Sequence, residues 1–233
     1  MTNTLVLFDI DKTLLRSKIK PSTQRKAFSM ALKEVYGLDA HIDLVEHRGM
    51  TDQQILIEIL KLHGFSDDEI KKGLSKCMQH MEEFFRENMP VEELEILEGV
   101  EDLLERLQEG GIVLGIVTGN LKGIAEKKLT ELGLWEYFQV GAFGSDSADR
   151  AELVRLAVRR AENLGFKLDK VFVVGDTHRD INAAKKSGIK NIKTIAVATG
   201  DCSVEELKEA GADFVFEDLK DVDAVVRAIK SRG

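Results

Sequence analysis

After residue 96 the chain repeats one unit: a short run rich in Val, Ile or Phe, then an amphipathic stretch. The runs are GIVLGIVT (111–118), FQVGAF (138–143), KVFVVGD (170–176), NIKTIAVAT (191–199) and DFVF (213–216). They are continuously apolar rather than alternating, the pattern of strands covered on both faces. Between them lie LKGIAEKKLTELG, RAELVRLAVRRAENLG, RDINAAKKSG and SVEELKEAG. In the second of these, Leu153, Leu156, Ala157, Ala161 and Leu164 share one helical face. Gly133, Gly165, Gly188 and Gly211 stand where helices stop, and Ser203 with Glu206 gives a start signal. The expected fold is α/β: a Rossmann-like parallel sheet with helices on both faces.

Leu5, Val6, Leu7 and Phe8 read as a first buried strand of that core. Residues 15 to about 95 break the rhythm. They hold helix patterns near 22–36, 52–63 and 67–87 and no convincing strand. Thr51 with Gln54, and Ser66 with Glu69, read as capping boxes. The only prolines, Pro21 and Pro90, sit near the edges of this block, where entry and exit of a separate helical unit suit them. The expected organisation is an α/β core over 1–15 and 96–233 with a helical cap domain inserted over 16–95. Phe28, Met30, Phe84 and Phe85 are expected in the cap's own core.

The net charge of −8 comes without a basic cluster, so nucleic acid is not an expected partner. No apolar run reaches the roughly 20 residues a membrane span needs, and residues 1–8 lack the basic flank of a signal peptide. Cys77 and Cys202 have neither CxxC nor metal-type spacing and read as idle thiols in a reducing, cytoplasmic setting. The five histidines make no HxxxH or HExxH pattern.

A buried strand that runs straight into Asp9 and Asp11 needs something to offset two like charges. In a parallel α/β sheet, ligands bind beyond the carboxyl ends of the strands. The 111–118 run delivers Thr118, Gly119 and Asn120 there, and the 170–176 run delivers Asp176, followed by Asp180. Residues two apart on extended chain point the same way, so Asp9 and Asp11 can both face a ligand. Asp9, Asp11 and Asp176 make an all-oxygen set that suits Mg²⁺ and a phosphate partner. Each motif alone is also what a turn or helix cap looks like; at matching strand ends and in this order they point to phosphoryl chemistry. One carboxylate attacks phosphorus, and a second acid protonates the leaving alkoxide and later deprotonates water.

Those residues carry a resemblance. The chain resembles the haloacid dehalogenase superfamily of phosphohydrolases, in its phosphoglycolate-phosphatase-like branch with an α-helical cap. DIDKT (Asp9 to Thr13), Thr118 in IVTGN, and VVGDTHRD (Asp176, Asp180) match three motifs, and Arg150 in GSDSADRAELV is the candidate for the basic third motif, usually Lys. The resemblance implies Asp9 as nucleophile and Asp11 as general acid and base. It implies Mg²⁺ held by Asp9, the Asp11 backbone carbonyl and Asp176, with Asp180 and Thr13 behind these ligands. Thr118, Gly119, Asn120 and Arg150 would bind the phosphoryl group. Lys12 stands where many members have Gly, and no role is carried to it. Dehalogenases lack the second aspartate, so Asp11 argues against that chemistry. His47, Arg48 and Thr51 in EHRGMTDQQI are where polar groups enter a cap helix, and Arg48 is a candidate for a substrate carboxylate. The expected function is a Mg²⁺-dependent phosphatase of a small phosphomonoester; a sugar-phosphate mutase and a phospho-accepting receiver-like module remain alternatives.

Overall fold

A computed structural model describes residues 3–231. Residues 1, 2, 232 and 233, at the two ends of the expected core, lie outside the described residues. In chain order the strands are β1 (Thr4–Phe8), β2 (Leu15–Ser17), β3 (Leu94–Ile96), β4 (Val113–Val117), β5 (Val140–Ala142), β6 (Lys170–Gly175), β7 (Ile192–Val197) and β8 (Phe214–Phe216). The α-helices are α1 (Thr23–Tyr36), α2 (Asp52–Leu62), α3 (Asp67–Asn88), α4 (Val100–Glu109), α5 (Lys122–Glu131), α6 (Arg150–Asn163), α7 (His178–Lys186), α8 (Val204–Glu209) and α9 (Val222–Lys230).

The main sheet has the order β5-β4-β1-β6-β7-β8, and every pairing in it is parallel. Both faces are buried, which explains the continuous apolar runs. Leu5 and Leu7 of β1 join Val171 and Val173 of β6 against Leu153, Val154 and Ala157 of α6. The alternate residues Val6, Phe8, Phe172 and Val174 join Leu114 and Ile116 against Leu103 and Leu104 of α4, Ile124 of α5 and Ile229 of α9. Each such side chain contributes about 1.5–3 kcal/mol when taken out of water. The chain leaves β1 for β4 on one side and later returns to β6 on the other. The ends of these three strands flank the topological switch point of the sheet, where this class of fold binds ligands.

The three helices α1, α2 and α3 are inserted between β2 and β3. Here the expectation of no strand between 15 and 95 is corrected: Leu15, Arg16 and Ser17 pair antiparallel with Ile96, Glu95 and Leu94. Each strand has only three residues, too few for a periodic signal, and their pairing partner is far along the chain. This ribbon carries the chain out to the helices and back. The helices share an apolar interior that includes Phe28, Leu32, Ile59, Met81 and Phe85. Met30 is exposed, because two helical positions after Phe28 a side chain points to the other side.

Glu93, beside the ribbon, is a buried carboxylate with a structural task. It accepts hydrogen bonds from Thr23 N at 2.9 Å and Thr23 Oγ1 at 2.5 Å, and from Ser17 Oγ at 3.2 Å. One side chain thereby joins the outgoing strand, the start of α1 and the returning strand. Glu93→Ala leaves the Thr23 donors unpaired in the interior, at a cost of about 1–3 kcal/mol. A urea unfolding curve should show that loss as a lower midpoint with an unchanged slope; an unchanged midpoint would mean that the tie carries no stability.

Candidate active site

The site lies at the carboxyl ends of β1, β4 and β6. Asp9 extends β1 by one residue, with its N–H donating to Val174 O at 2.9 Å. Its carboxylate meets Asp176, which follows β6, and Asp180, in the first turn of α7. One oxygen from each of the three lies within 4.8 Å of the others, and all three residues are buried. Asp180 is oriented by Thr177, whose N–H and Oγ1 donate to it at 3.1 and 2.6 Å. Asp176 is packed under residue 200, where a Cβ would fall 1.8 Å from its Oδ2, so only glycine fits.

Among the described residues, one cation pairs directly with this cluster, and Lys12 acts on Asp176 from outside it. Arg150, the first residue of α6, is an ion-pair partner of Asp180 and lies 3.5 Å from Asp9 Oδ2. A single guanidinium does not neutralise three carboxylates. Burial, then the neighbouring acids, hold Asp176 well above the usual carboxylate range. Asp9 is also raised, by burial first; Arg150 opposes the shift, and the charges of Asp180 and Asp11 add to it. This cluster of hard oxygen donors fits a divalent cation such as Mg²⁺, whose charge removes the cost of keeping the acids ionised. Thr13 Oγ1, buried nearby in sequence, has no hydrogen-bond partner among the described residues.

Asp11 does not join the three acids through its carboxylate. After Asp9 the chain turns: Lys12 has a φ of 61°, in the left-handed region, and Lys12 N donates to Leu15 O at 2.7 Å. Lys12 Nζ pairs with Asp201 at 2.5 Å, and Thr199 Oγ1 donates to the Lys12 carbonyl, which holds the turn in this unusual conformation. The Asp11 carboxylate is turned to a second cation. Lys128 Nζ donates to its two oxygens at 2.7 and 2.8 Å, and Asn120 Nδ2 donates to Oδ2 at 2.7 Å. Asp9 and Asp11, two residues apart, are therefore held by different cations from different helices.

Lys128 is the site residue that sequence reasoning missed. It is 3% exposed, on the inner side of α5 with Ile124, Ala125 and Leu129. A lysine on the apolar face of a helix was the available signal. The helix reads KGIAEKKLTE, and of its lysines Lys128 alone falls three and four residues after Ala125 and Ile124, on the apolar face.

Thr118 continues β4, its N–H donating to Ala142 O at 3.1 Å. Its Oγ1 accepts from Asn120 N at 3.3 Å and Asn120 Nδ2 at 2.9 Å, so these two motif residues are locked together. Gly119 sits under the insertion: a Cβ there would lie 2.6 Å from Met50 O. The insertion also supplies caps to a core helix. Asp52 Oδ2 accepts from Leu121 N at 2.9 Å and Glu82 Oε1 from Gly123 N at 2.8 Å, while Lys122 N is taken by Ser145 Oγ. Of these amides at the start of α5, which have no partner within the helix, two are thus satisfied by carboxylates of the insertion and one by a hydroxyl of the core. Arg150 Nη1 closes a further bridge, donating to Gly49 O at 3.0 Å.

The rim residues are placed differently. Thr51 is buried; its Oγ1 accepts from Gln54 N at 3.1 Å and lies 3.2 Å from Ala148 O, so it serves as the cap of α2. His47 Nδ1 lies 3.2 Å from Val45 O. Arg48 is exposed and approaches Asp201 at 3.9 Å rather than the three acids.

Asp52 is 3% exposed, and burial raises its pKa from 3.8 to about 7, with Lys128 and the Leu121 amide opposing the shift. A folded-state pKa above the unfolded one means that the folded chain binds the extra proton. The stability from that proton is complete below pH 3.8 and is lost as pH rises through about 7. Asp52→Asn removes this titration. The melting temperature of the wild type, relative to Asp52→Asn, should therefore fall between about pH 4 and pH 7. A difference that stays constant across that range would show that Asp52 is not held protonated by burial.

Comparison with known proteins gives the family and the fold. A family model described as haloacid dehalogenase-like hydrolase matches residues 6–196. The pyrophosphatase PpaX of Oceanobacillus iheyensis is 30% identical over 130 residues, which span 54% of this chain and 58% of that protein. The phosphoglycolate phosphatase of Aquifex aeolicus is 27% identical over 188 residues, 80% of this chain and 82% of that one. Among solved structures, CbbY from Rhodobacter sphaeroides in complex with phosphate superposes with a TM-score of 0.71 at 23% identity, covering 95% of this chain and 96% of that chain.

Proposed function

From the premise that this chain belongs to the haloacid dehalogenase-like hydrolase family, we propose that it is a Mg²⁺-dependent phosphatase acting on a small phosphomonoester through an aspartyl phosphate on Asp9. The observation that carries the proposal is the division of labour between the two motif aspartates. Asp9 stands with Asp176, Asp180 and Arg150 in a buried anionic cluster, whereas Asp11, more exposed, is held by Lys128 and Asn120.

In this reading Asp9 Oδ attacks phosphorus, and the bond to the leaving oxygen breaks as Asp11 delivers a proton to it. Water then attacks the phosphoryl group while Asp11 takes the water's proton. The bond to Asp9 breaks, and inorganic phosphate leaves. Arg150, 3.5 Å from Asp9, offsets charge on the group in transfer. Thr118 and the backbone N–H of Asn120 are the proposed holders of the remaining phosphate oxygens. Bound at Asp9, Asp176 and the Asp11 carbonyl, Mg²⁺ would polarise the phosphoryl group and neutralise the acids; Asp180, joined to Arg150 and Thr177, would support that set from behind together with Thr13.

We treat residues 16–95 as a cap over a core made of 1–15 and 96–233. Supporting this are the ribbon of β2 and β3 at its base and its hydrogen bonds to the loop ends of the site. A cap of this kind excludes water and favours small substrates. Arg48, exposed on the insertion, is the proposed partner of an anionic group on the substrate. Cys77 and Cys202 are unpaired, in keeping with a cytoplasmic, reducing setting, and no described helix is long and apolar enough to cross a membrane.

Relatives named for a phosphomonoester and for pyrophosphate call for both substrate types in one assay. Phosphate release should be measured with p-nitrophenyl phosphate, a panel of small metabolite phosphates and pyrophosphate, with and without Mg²⁺. Multiple-turnover release from monoesters is the expected result; a sugar-phosphate mutase would interconvert isomers with little net release. EDTA followed by dialysis should abolish turnover and Mg²⁺ restore it, and full activity of the metal-stripped protein would rule out the metal requirement.

Asp9→Asn should abolish turnover, a loss of several orders of magnitude, while the fold survives. Circular dichroism would establish the fold, and residual activity above a few per cent of wild type would remove Asp9 from the nucleophile's role.

A further inference from the structure

We propose that Lys128 positions the Asp11 carboxylate for proton transfer, and that the helical insertion fixes Lys128 in turn. The ammonium has three protons, and the structure gives it three partner residues. Asp11 takes it at 2.7 and 2.8 Å, Gln24 Oε1 at 2.7 Å and Asn120 Oδ1 at 3.0 Å. Asp11 and Asn120 belong to the core loops, and Gln24 to α1. Phe85 of α3 adds its ring face, 5.9 Å from Nζ.

The geometry sets the direction in which Asp11 points. The Lys128 side chain is 3% exposed and that of Asp11 is 42% exposed. The lysine thus grips the carboxylate from the buried side and leaves the rest of it exposed, where the proposed reaction has it meet the leaving oxygen. Asn120 reinforces the same orientation through its Nδ2, and Asn120 is itself tied to Thr118. Without Lys128, Asp11 would keep one neutral donor and regain rotamer freedom at the point where the leaving oxygen must be met. A proton transfer depends steeply on such placement, and a shift of about 1 Å is costly in rate.

A lysine that only balanced buried charge would affect every substrate alike. A lysine that aims the acid would matter where the acid matters. p-Nitrophenolate leaves without protonation and an alkoxide does not. The inference rests on the phosphatase reading, and the experiment separates the two. Single-turnover phosphorylation would be compared for ethyl phosphate and p-nitrophenyl phosphate, with Mg²⁺, in wild type, Lys128→Met, Asp11→Asn and the double variant.

Lys128→Met keeps the aliphatic stem in place, and the exposed side of Asp11 can take water instead. It should slow the ethyl phosphate reaction on the order of 10²-fold while changing p-nitrophenyl phosphate little. In the Asp11→Asn background the same change should bring no further selective loss, because the group being aimed is gone. Equal losses on both substrates, or a full additional selective loss in the double variant, would overturn the proposal. Should Lys128→Met fail to fold, Gln24→Leu, at a half-buried position, is read instead. It takes one acceptor from Lys128 and should shift the substrate ratio in the same direction by a smaller factor; an unchanged ratio overturns the proposal. If wild type turns over neither substrate, the phosphatase reading fails and this inference with it.

Discussion

The cost of like charge at the end of a buried strand governs this structure. β1 is covered on both faces and ends at Asp9, whose side chain keeps only 9% of its surface exposed. Two more acids, Asp176 and Asp180, are delivered to the same place by β6 and α7. An uncompensated buried carboxylate is among the more expensive things a fold can hold. The chain answers with Arg150 from α6, with Thr177 hydrogen bonds to Asp180, and with a cluster of oxygen donors suited to a divalent cation. The site is thus left short of positive charge, the property that makes it able to bind one.

The second aspartate is managed by different means. The chain leaves the strand just past Asp9, where Thr13 N and Leu14 N both donate to Ile10 O, and the Asp11 carboxylate is held by partners other than those of Asp9. Asp11 is handed to Lys128, and through Lys128 and Asn120 to groups that the insertion and β4 provide. The insertion is bound to the core by the same currency of charge and hydrogen bonds. Asp52 and Glu82 cap the N-terminus of α5, and Gly49 O receives Arg150. These contacts reach the two cation-bearing helices, α5 and α6, so the placement of the three-helix unit and the electrostatics of the site are parts of one network.

Sequence and structure agree most where a signal is local and repeated. Five Val- and Ile-rich runs after residue 96, and the LVLF run before Asp9, all became strands of the parallel sheet, because each needed two covering layers and only this architecture supplies them. The helices of the insertion began at Ser22, Thr51 and Ser66, where a hydroxyl could accept an amide of the first turn. Disagreement arose where a partner lies far along the chain. β2 and β3 are three residues each and exist only because they meet. Glu93, Asp52 and Lys128 read as ordinary charged residues and proved to be buried ties.

The sequence by itself determined the layer order of the core, the three helices of the insertion and the polar residues that end β1, β4 and β6, since periodicity, caps and strand ends are encoded within a few neighbouring residues. Only the tertiary structure decided which cation serves which aspartate. Arg150 and Lys128 are far from Asp9 and Asp11 in the chain, and a lysine's role depends on whether its helix turns it into the protein. The helical spacing sets the face that Lys128 shares with Ile124 and Ala125, but its partners Asp11, Gln24 and Phe85 lie far along the chain, and no short stretch of sequence contains them.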